Sequence, residues 1–215
     1  MQQRSNFLQM AIQNSPVVTI TIGINIAVFL AWQFATDDFA VAQLMVSNFL
    51  ASWNGLLSGH VWTLLTSAYS HFEFLHLAIN MFVLWNFGVL IERQMGRQRF
   101  LVFYVVCSIV GSLAHCMVSE WLLGMPDRGA LGASGAVCGV LMAFALEYPK
   151  ARILLFGIVP VPALICVVGM AAFDVWGVIN QSRGQGFGIG HAAHLGGGIA
   201  GGVLWLGMIR QQRLR

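Results

Sequence analysis

Apolar residues gather into six runs along the chain, at approximately 16–36, 73–91, 100–121, 132–148, 153–173 and 188–209. A helix needs about 20 largely apolar residues to cross the hydrocarbon layer of a bilayer. The pattern therefore predicts six membrane-spanning helices in one all-α, polytopic domain covering residues 1–215. Between the first two runs, "DDFAVAQLMVSNFLASWNGLLSGHVWTLLTSAYSHFEF" is only moderately apolar, is broken by Gly55 and Gly59, and carries Trp53, Trp62 and Tyr69. Amphipathic rings favour the membrane interface, so this segment is predicted to lie on the outer leaflet as short helices. The connections "IERQMGRQRF" and "EYPKAR" read as tight inner turns, the second with Pro149 stopping the fourth helix.

Composition agrees, and charge sets an orientation. Charged residues make up 9% of the chain, against roughly 25% in soluble domains, and six spans leave no room for a separate soluble domain. With both termini on the inner side, Arg4, Arg93, Arg97, Arg99, Lys150, Arg152, Arg210, Arg213 and Arg215 lie inside, while Arg128 and Arg183 lie outside. That asymmetry follows the positive-inside rule. The net charge of +3 thus reflects membrane topology and implies no nucleic-acid partner. On the same assignment Asp37, Asp38, Glu73, Glu120, Asp127 and Asp174 fall near the outer face. The cysteines, Cys107, Cys116, Cys138 and Cys166, all fall inside predicted spans, which suggests neither a disulfide framework nor a zinc spacing. The opening "MQQRSNFLQMAIQNSP" has no long apolar core followed by a small-residue cleavage site, so the first span is expected to be a retained helix.

Polar side chains inside a bilayer are costly and default to a functional-site hypothesis. Three groups stand out: His71, His76 and Asn80 at the second span, Ser134 in the fourth, and His191 with His194 in the sixth. His76 and Asn80, four apart, share one helix face. On the topology above, Asn80, Ser134 and His194 lie at similar depth below the outer surface. Gly190, His194, Gly198 and Gly202 recur every fourth residue, and Gly135 and Gly139 are likewise four apart beside Ser134. Small-residue stripes let helix backbones approach closely, so packing these faces together is expected to bring Ser134 to His194. A hydroxyl becomes a nucleophile when a base takes its proton, and Asn80, His76 and the Ser134 amide are candidate oxyanion donors. No acid is expected at matching depth, which makes the arrangement a Ser–His dyad. Against this stand blander readings: Ser134 and the glycines as packing residues, Asn80 as interhelical glue, and His71 and His191 as interfacial or hydrogen-bonded histidines. Metal binding by His71 with His76, or by His191 with His194, lacks a carboxylate or thiolate at ligand spacing, so no metal is expected.

Together "GHVWTLLTSAYSHFEFLHLAINMFVLWNFG", "IERQMGRQRF", "GASGAVCG" and "HAAHLGGGIAGG", in that order between Gly59 and Gly202, resemble the rhomboid family of intramembrane serine proteases. The resemblance implies that Ser134 is the nucleophile of a GxSG motif that includes Gly132 and Gly135. It implies that His194 is the base of an HxxGxxxG motif with Gly198 and Gly202. His76 and Asn80 would line the oxyanion hole, His71 would be more structural, and Glu92 and Gly96 would form an E-x-x-x-G turn. It further implies a water-filled cavity opening to the outer side, the transmembrane segments of other proteins as substrates, and no metal or organic cofactor. Six spans without an added domain suggest a bacterial cytoplasmic membrane. Two positions depart from the pattern: Trp62-Thr63 replaces a Trp-Arg pair, and Cys138 stands where many members stack an aromatic on the catalytic imidazole. The alternatives to a protease are a catalytically silent rhomboid-like protein that binds membrane clients, and a transporter, whose polar groups would continue along a path through the membrane.

Overall fold

The computed structural model of the chain describes residues 15–35, 38–155, 158–185 and 188–213; most of the opening segment considered as a signal lies outside them. Helix α1 spans Pro16–Ala35, and three short helices follow, α2 (Phe39–Phe49), α3 (Trp53–Leu57) and α4 (Thr63–Thr66). Helix α5 spans Phe74–Met95 and contains a π turn at Leu84–Gly88. Then come α6 (Arg97–Trp121), α7 (Ser134–Glu147), a hairpin of β1 (Arg152–Leu155) and β2 (Val159–Pro162), α8 (Ala163–Ser182) and α9 (His191–Arg213). Four of these, α1, α5, α6 and α8, are each long and apolar enough to cross a bilayer. Large apolar side chains such as Phe34, Phe82, Val203 and Leu206 face outward, while Asn25, Asn80, Glu92, Ser108 and Asp174 are buried. That inside-out distribution belongs to an integral, multi-pass membrane protein.

The fifth apolar run departs from expectation. Its first part pairs as an antiparallel hairpin, with Arg152 opposite Pro162 and Leu155 opposite Val159. Pro160 and Pro162 have no N–H to give a helix interior, and Pro162 holds an extended ψ of 136° at the point where α8 begins. The helix therefore starts at Ala163 rather than near 153, and runs on through Ser182. This shift carries Asp174, expected near the outer surface, into the body of a helix.

The start of α1 illustrates how backbone donors are satisfied away from water. Pro16 opens the helix and has no N–H. The next two amides, Val17 and Val18, donate to Glu92 Oε1 and Oε2 at 3.0 and 2.8 Å, and the Thr19 N–H reaches Ser15 O at 3.2 Å. A carboxylate at a helix N-terminus also complements the helix dipole. Gly96, at the other end of the E-x-x-x-G turn, takes φ +81° between α5 and α6, a conformation suited to glycine.

At the centre, α9 lies between α6 and α7 in backbone contact with both. A Cβ on Gly201 would stand 2.5 Å from Gly139 Cα, one on Gly197 would overlap the Gly135 carbonyl, and one on Gly196 would meet Val110 O of α6 at 3.0 Å. The contact line toward α7 is thus Ala193, Gly197 and Gly201, not the expected stripe of Gly190, His194, Gly198 and Gly202. Gly198 has nothing within 4 Å of its Cβ position, and Gly202 faces the side chains of Met142, at 3.2 Å, and Leu146, at 3.9 Å. A helix face bearing an imidazole has no room to close to backbone contact, so the adjacent face closes and His194 sits beside the seam.

Helix α7 has 14 residues, a length of about 21 Å at 1.5 Å per residue, against a hydrocarbon layer of about 30 Å. It is thus shorter than the helices that are long enough to cross the layer.

Glu92→Ala is expected to lower stability by about 2–3 kcal/mol, the scale of two buried donors losing a charged acceptor, measured as a fall in unfolding midpoint in detergent. Gly197→Ala is expected to cost about 1–3 kcal/mol through overpacking, whereas Gly198→Ala is neutral or slightly stabilising. Equal midpoints for the two alanine variants would contradict the placement of the seam.

Candidate active site

The turn into α7 is shaped by residues that hold its backbone. Gly132 has φ +115°, and a Cβ there would lie 2.7 Å from His76 Cε1, so both conformation and space require glycine. Its N–H donates to Ser67 O at 2.9 Å, and the next amide, Ala133, donates to His71 Nε2 at 3.3 Å. Ser134 then opens the helix, where its N–H has no intrahelical acceptor, and no side chain caps the terminus.

Across the glycine seam, His194 Nε2 lies 2.9 Å from Ser134 Oγ. Its other ring nitrogen, Nδ1, lies 3.1 Å from Asp174 Oδ1 on α8, and the same oxygen accepts from His191 Nδ1 at 2.7 Å. The expected absence of an acid at this depth is corrected here. With Asp174 Oδ1 as the acceptor at Nδ1, His194 Nε2 is left to accept from the serine hydroxyl. That is the tautomer a general base requires. His191, read as an interfacial or hydrogen-bonded histidine, is 1% exposed and takes the hydrogen-bonded role.

His76 and Asn80 face the same space. A cavity of about 670 Å³ is lined by Ser134, His194, His76, Asn80, Cys138 and His115 among others. The Asn80 amide nitrogen lies 3.2 Å from His71 Nε2 and donates to His76 O at 3.0 Å, while the His76 ring packs edge-on against His71 at 4.8 Å. Gly135 is in the seam, close to Ala193 O. Cys138 lines the cavity beside His194. Thr63, the other departure, is buried within the interfacial segment and donates from its hydroxyl to His60 O at 2.6 Å.

Asp174, His191 and His194 also form a chemically possible ligand set, their donor atoms all within 4.8 Å of one another. The expectation that no carboxylate accompanies these histidines is therefore corrected. Tetrahedral ligands 2.0–2.1 Å from a metal stand about 3.3 Å apart, so the 2.7 Å separation of His191 and Asp174 is the geometry of a direct hydrogen bond.

Sequence reasoning missed Asp174 and His115. The signal for Asp174 was present: the Pro160–Pro162 pair marks a helix boundary, and moving the fifth span past it places an acid inside the membrane, where it is a functional-site candidate by default. His115, on α6, carries no motif spacing; its ring meets Arg128 O at 3.3 Å.

Residues 58–211 match the family described as the Rhomboid domain. The chain belongs to the rhomboid family. Among curated rhomboids it is 29% identical to RHOMBOID-like protein 12, mitochondrial, of Arabidopsis thaliana, over 89% of this chain and 57% of that protein. It is 34% identical to Rhomboid protein 1, mitochondrial, of Saccharomyces cerevisiae, over 86% and 51%. With Presenilin-associated rhomboid-like protein, mitochondrial, of Bos taurus it shares 31% identity over 86% and 46%. The chain spans about half the length of these relatives. All three are mitochondrial by name, so the expectation of a bacterial membrane draws no support from them.

Burial, and secondarily the neighbouring His76, lowers the His71 imidazole from its ordinary 6.5 to about 3. Because the folded-state value is depressed, the stability contributed by neutral His71 is full above about pH 6.5 and is lost as pH falls toward about 3. The unfolding midpoint should drop as pH is lowered from 6.5 to 4, and less steeply in His71→Gln. Parallel slopes would rule out His71 as the source.

Proposed function

We propose that this rhomboid is an intramembrane serine endopeptidase, a single membrane domain that cuts transmembrane segments of other proteins near their outer ends. The observation that carries the reading is the 2.9 Å contact between His194 Nε2 and Ser134 Oγ, open to a cavity of about 670 Å³. In this mechanism the Ser134 proton passes to His194 Nε2 as Oγ bonds to the scissile carbonyl carbon. The resulting oxyanion is met by the Ser134 N–H at the start of α7, where the helix dipole favours negative charge. The His76 ring is a second donor, and Asn80 joins when its amide turns from His71. The C–N bond then breaks, His194 returns its proton to the leaving amine, and water admitted by the cavity hydrolyses the acyl-enzyme by the same steps. A substrate helix shields its own carbonyls, so segments unwound by glycine, proline or small residues near the cut are favoured.

The basic residues support an orientation with both termini on the inner side and the cavity opening outward. The residues described for catalysis ask for no metal or organic cofactor; the partners are membrane-protein substrates and the lipid itself.

Reconstituted with a model single-span substrate, the wild-type chain should release product, and Ser134→Ala and His194→Ala should each lose at least about 10³-fold in rate. A covalent serine-reactive probe should label wild type and not Ser134→Ala. Equal cleavage by wild type and Ser134→Ala would sink the protease reading and leave the client-binding alternative.

A further inference from the structure

We infer that Asp174 is a positioning residue for His194, and that His191 braces it, so that the site operates as a serine–histidine–aspartate relay rather than a dyad. The inference rests on the protease reading above. Its first support is the shared oxygen: Asp174 Oδ1 accepts from His194 Nδ1 at 3.1 Å and from His191 Nδ1 at 2.7 Å. A tether between α8 and α9 needs only the second of these bonds. The first sets the rotation of the imidazole that faces Ser134.

The surroundings are built for that geometry. The Asp174 and His191 side chains are 6% and 1% exposed, and a buried carboxylate is tolerated where it is paired and hydrogen-bonded. One turn beyond Asp174, Gly177 leaves a gap into which the His191 ring fits, since any Cβ there would overlap it. Phe173, the preceding residue on α8, closes the cradle with its ring 5.4 Å from that of His191 at 73°. Phe173, Asp174 and Gly177 thus hold His191 in place, and His191 in turn fixes the carboxylate.

The relay also answers the departure at position 138. With Cys138 beside it, His194 has as its one ring neighbour among the described residues His191, edge-on at 6.4 Å, so its orientation depends on hydrogen bonds at both nitrogens. The other titratable groups around the cavity it faces are Glu73, His76, His115, Arg128 and Cys138. Asp174 is the carboxylate within hydrogen-bond reach of His194, and so the one placed to stabilise the imidazolium that forms when Ser134 gives up its proton.

The test compares the full chain with Asp174→Asn, Asp174→Glu and Ser134→Ala on a model single-span substrate. Alongside turnover, it measures labelling by a fluorophosphonate and unfolding in detergent. Asp174→Asn should lower kcat by about 10⁴-fold, the loss that removal of the orienting carboxylate causes in Ser–His–Asp sites. KM should hold within about twofold, the unfolding midpoint should stay close to wild type, and labelling should slow in proportion to kcat. Asp174→Glu should recover part of the rate. Wild-type kcat in Asp174→Asn, with Ser134→Ala inactive, would overturn this inference and leave the protease reading standing. Loss of the unfolding transition in both Asp174 variants would also overturn it, in favour of a purely structural role. Product from Ser134→Ala at the wild-type rate would instead overturn the protease reading itself.

Discussion

The backbones of α7 and α9 meet without side chains between them, where Gly197 lies on Gly135 and Gly201 on Gly139. Lipid offers no hydrophobic gain for bringing two apolar helices together, so close van der Waals contact between bare backbones supplies the attraction. The same contact fixes where neighbouring residues fall. Ser134 and His194 stand beside the seam, and their hydrogen-bonded separation follows from how near the two chains come. An extra methyl on the contact line would separate the helices by more than a hydrogen bond tolerates. Helix α6 completes the grip through Gly111, whose Cβ position is 2.9 Å from Ala193 O, so α9 has little freedom to slide.

Around that seam the polar groups are linked rather than scattered. His71 holds the Ala133 amide just before the nucleophile and meets Asn80, while Asn80 reaches back to His76 O. On the opposite side, Asp174 gathers two imidazoles. In a low-dielectric setting each such bond is stronger than in water, and each missing one is more costly. The shortness of α7 brings its N-terminal residue, Ser134, to the wall of the cavity that His76, Asn80 and His194 also line.

Much of this was legible in the residues. Ser134, His194, His76 and Asn80 were found from helix spacing and from the rarity of polar groups in apolar runs, and the structure brings all four to one cavity. The error in the fifth span had a physical source. Hydropathy does not distinguish a strand from a helix in a short apolar stretch, and it outweighed the prolines at 160 and 162. That one displacement hid Asp174, and with it the acid beside His194. The glycine stripe was misassigned by one residue for a related reason. Along "GIGHAAHLGGGIAGG" nearly every face carries small residues, so periodicity alone leaves the contacting face open, and only the bulk of the imidazole decides it.

Glu92 bonds to amides 74 and 75 positions earlier in the chain. During synthesis α1 emerges well before its cap exists, and closing so long a loop carries an entropic cost that local helix formation does not. Its first turn therefore stays open until the end of α5 has been made and has returned to it. The cap on α1 thus records that α5 has come back to pack beside it, before α6 to α9 have been added.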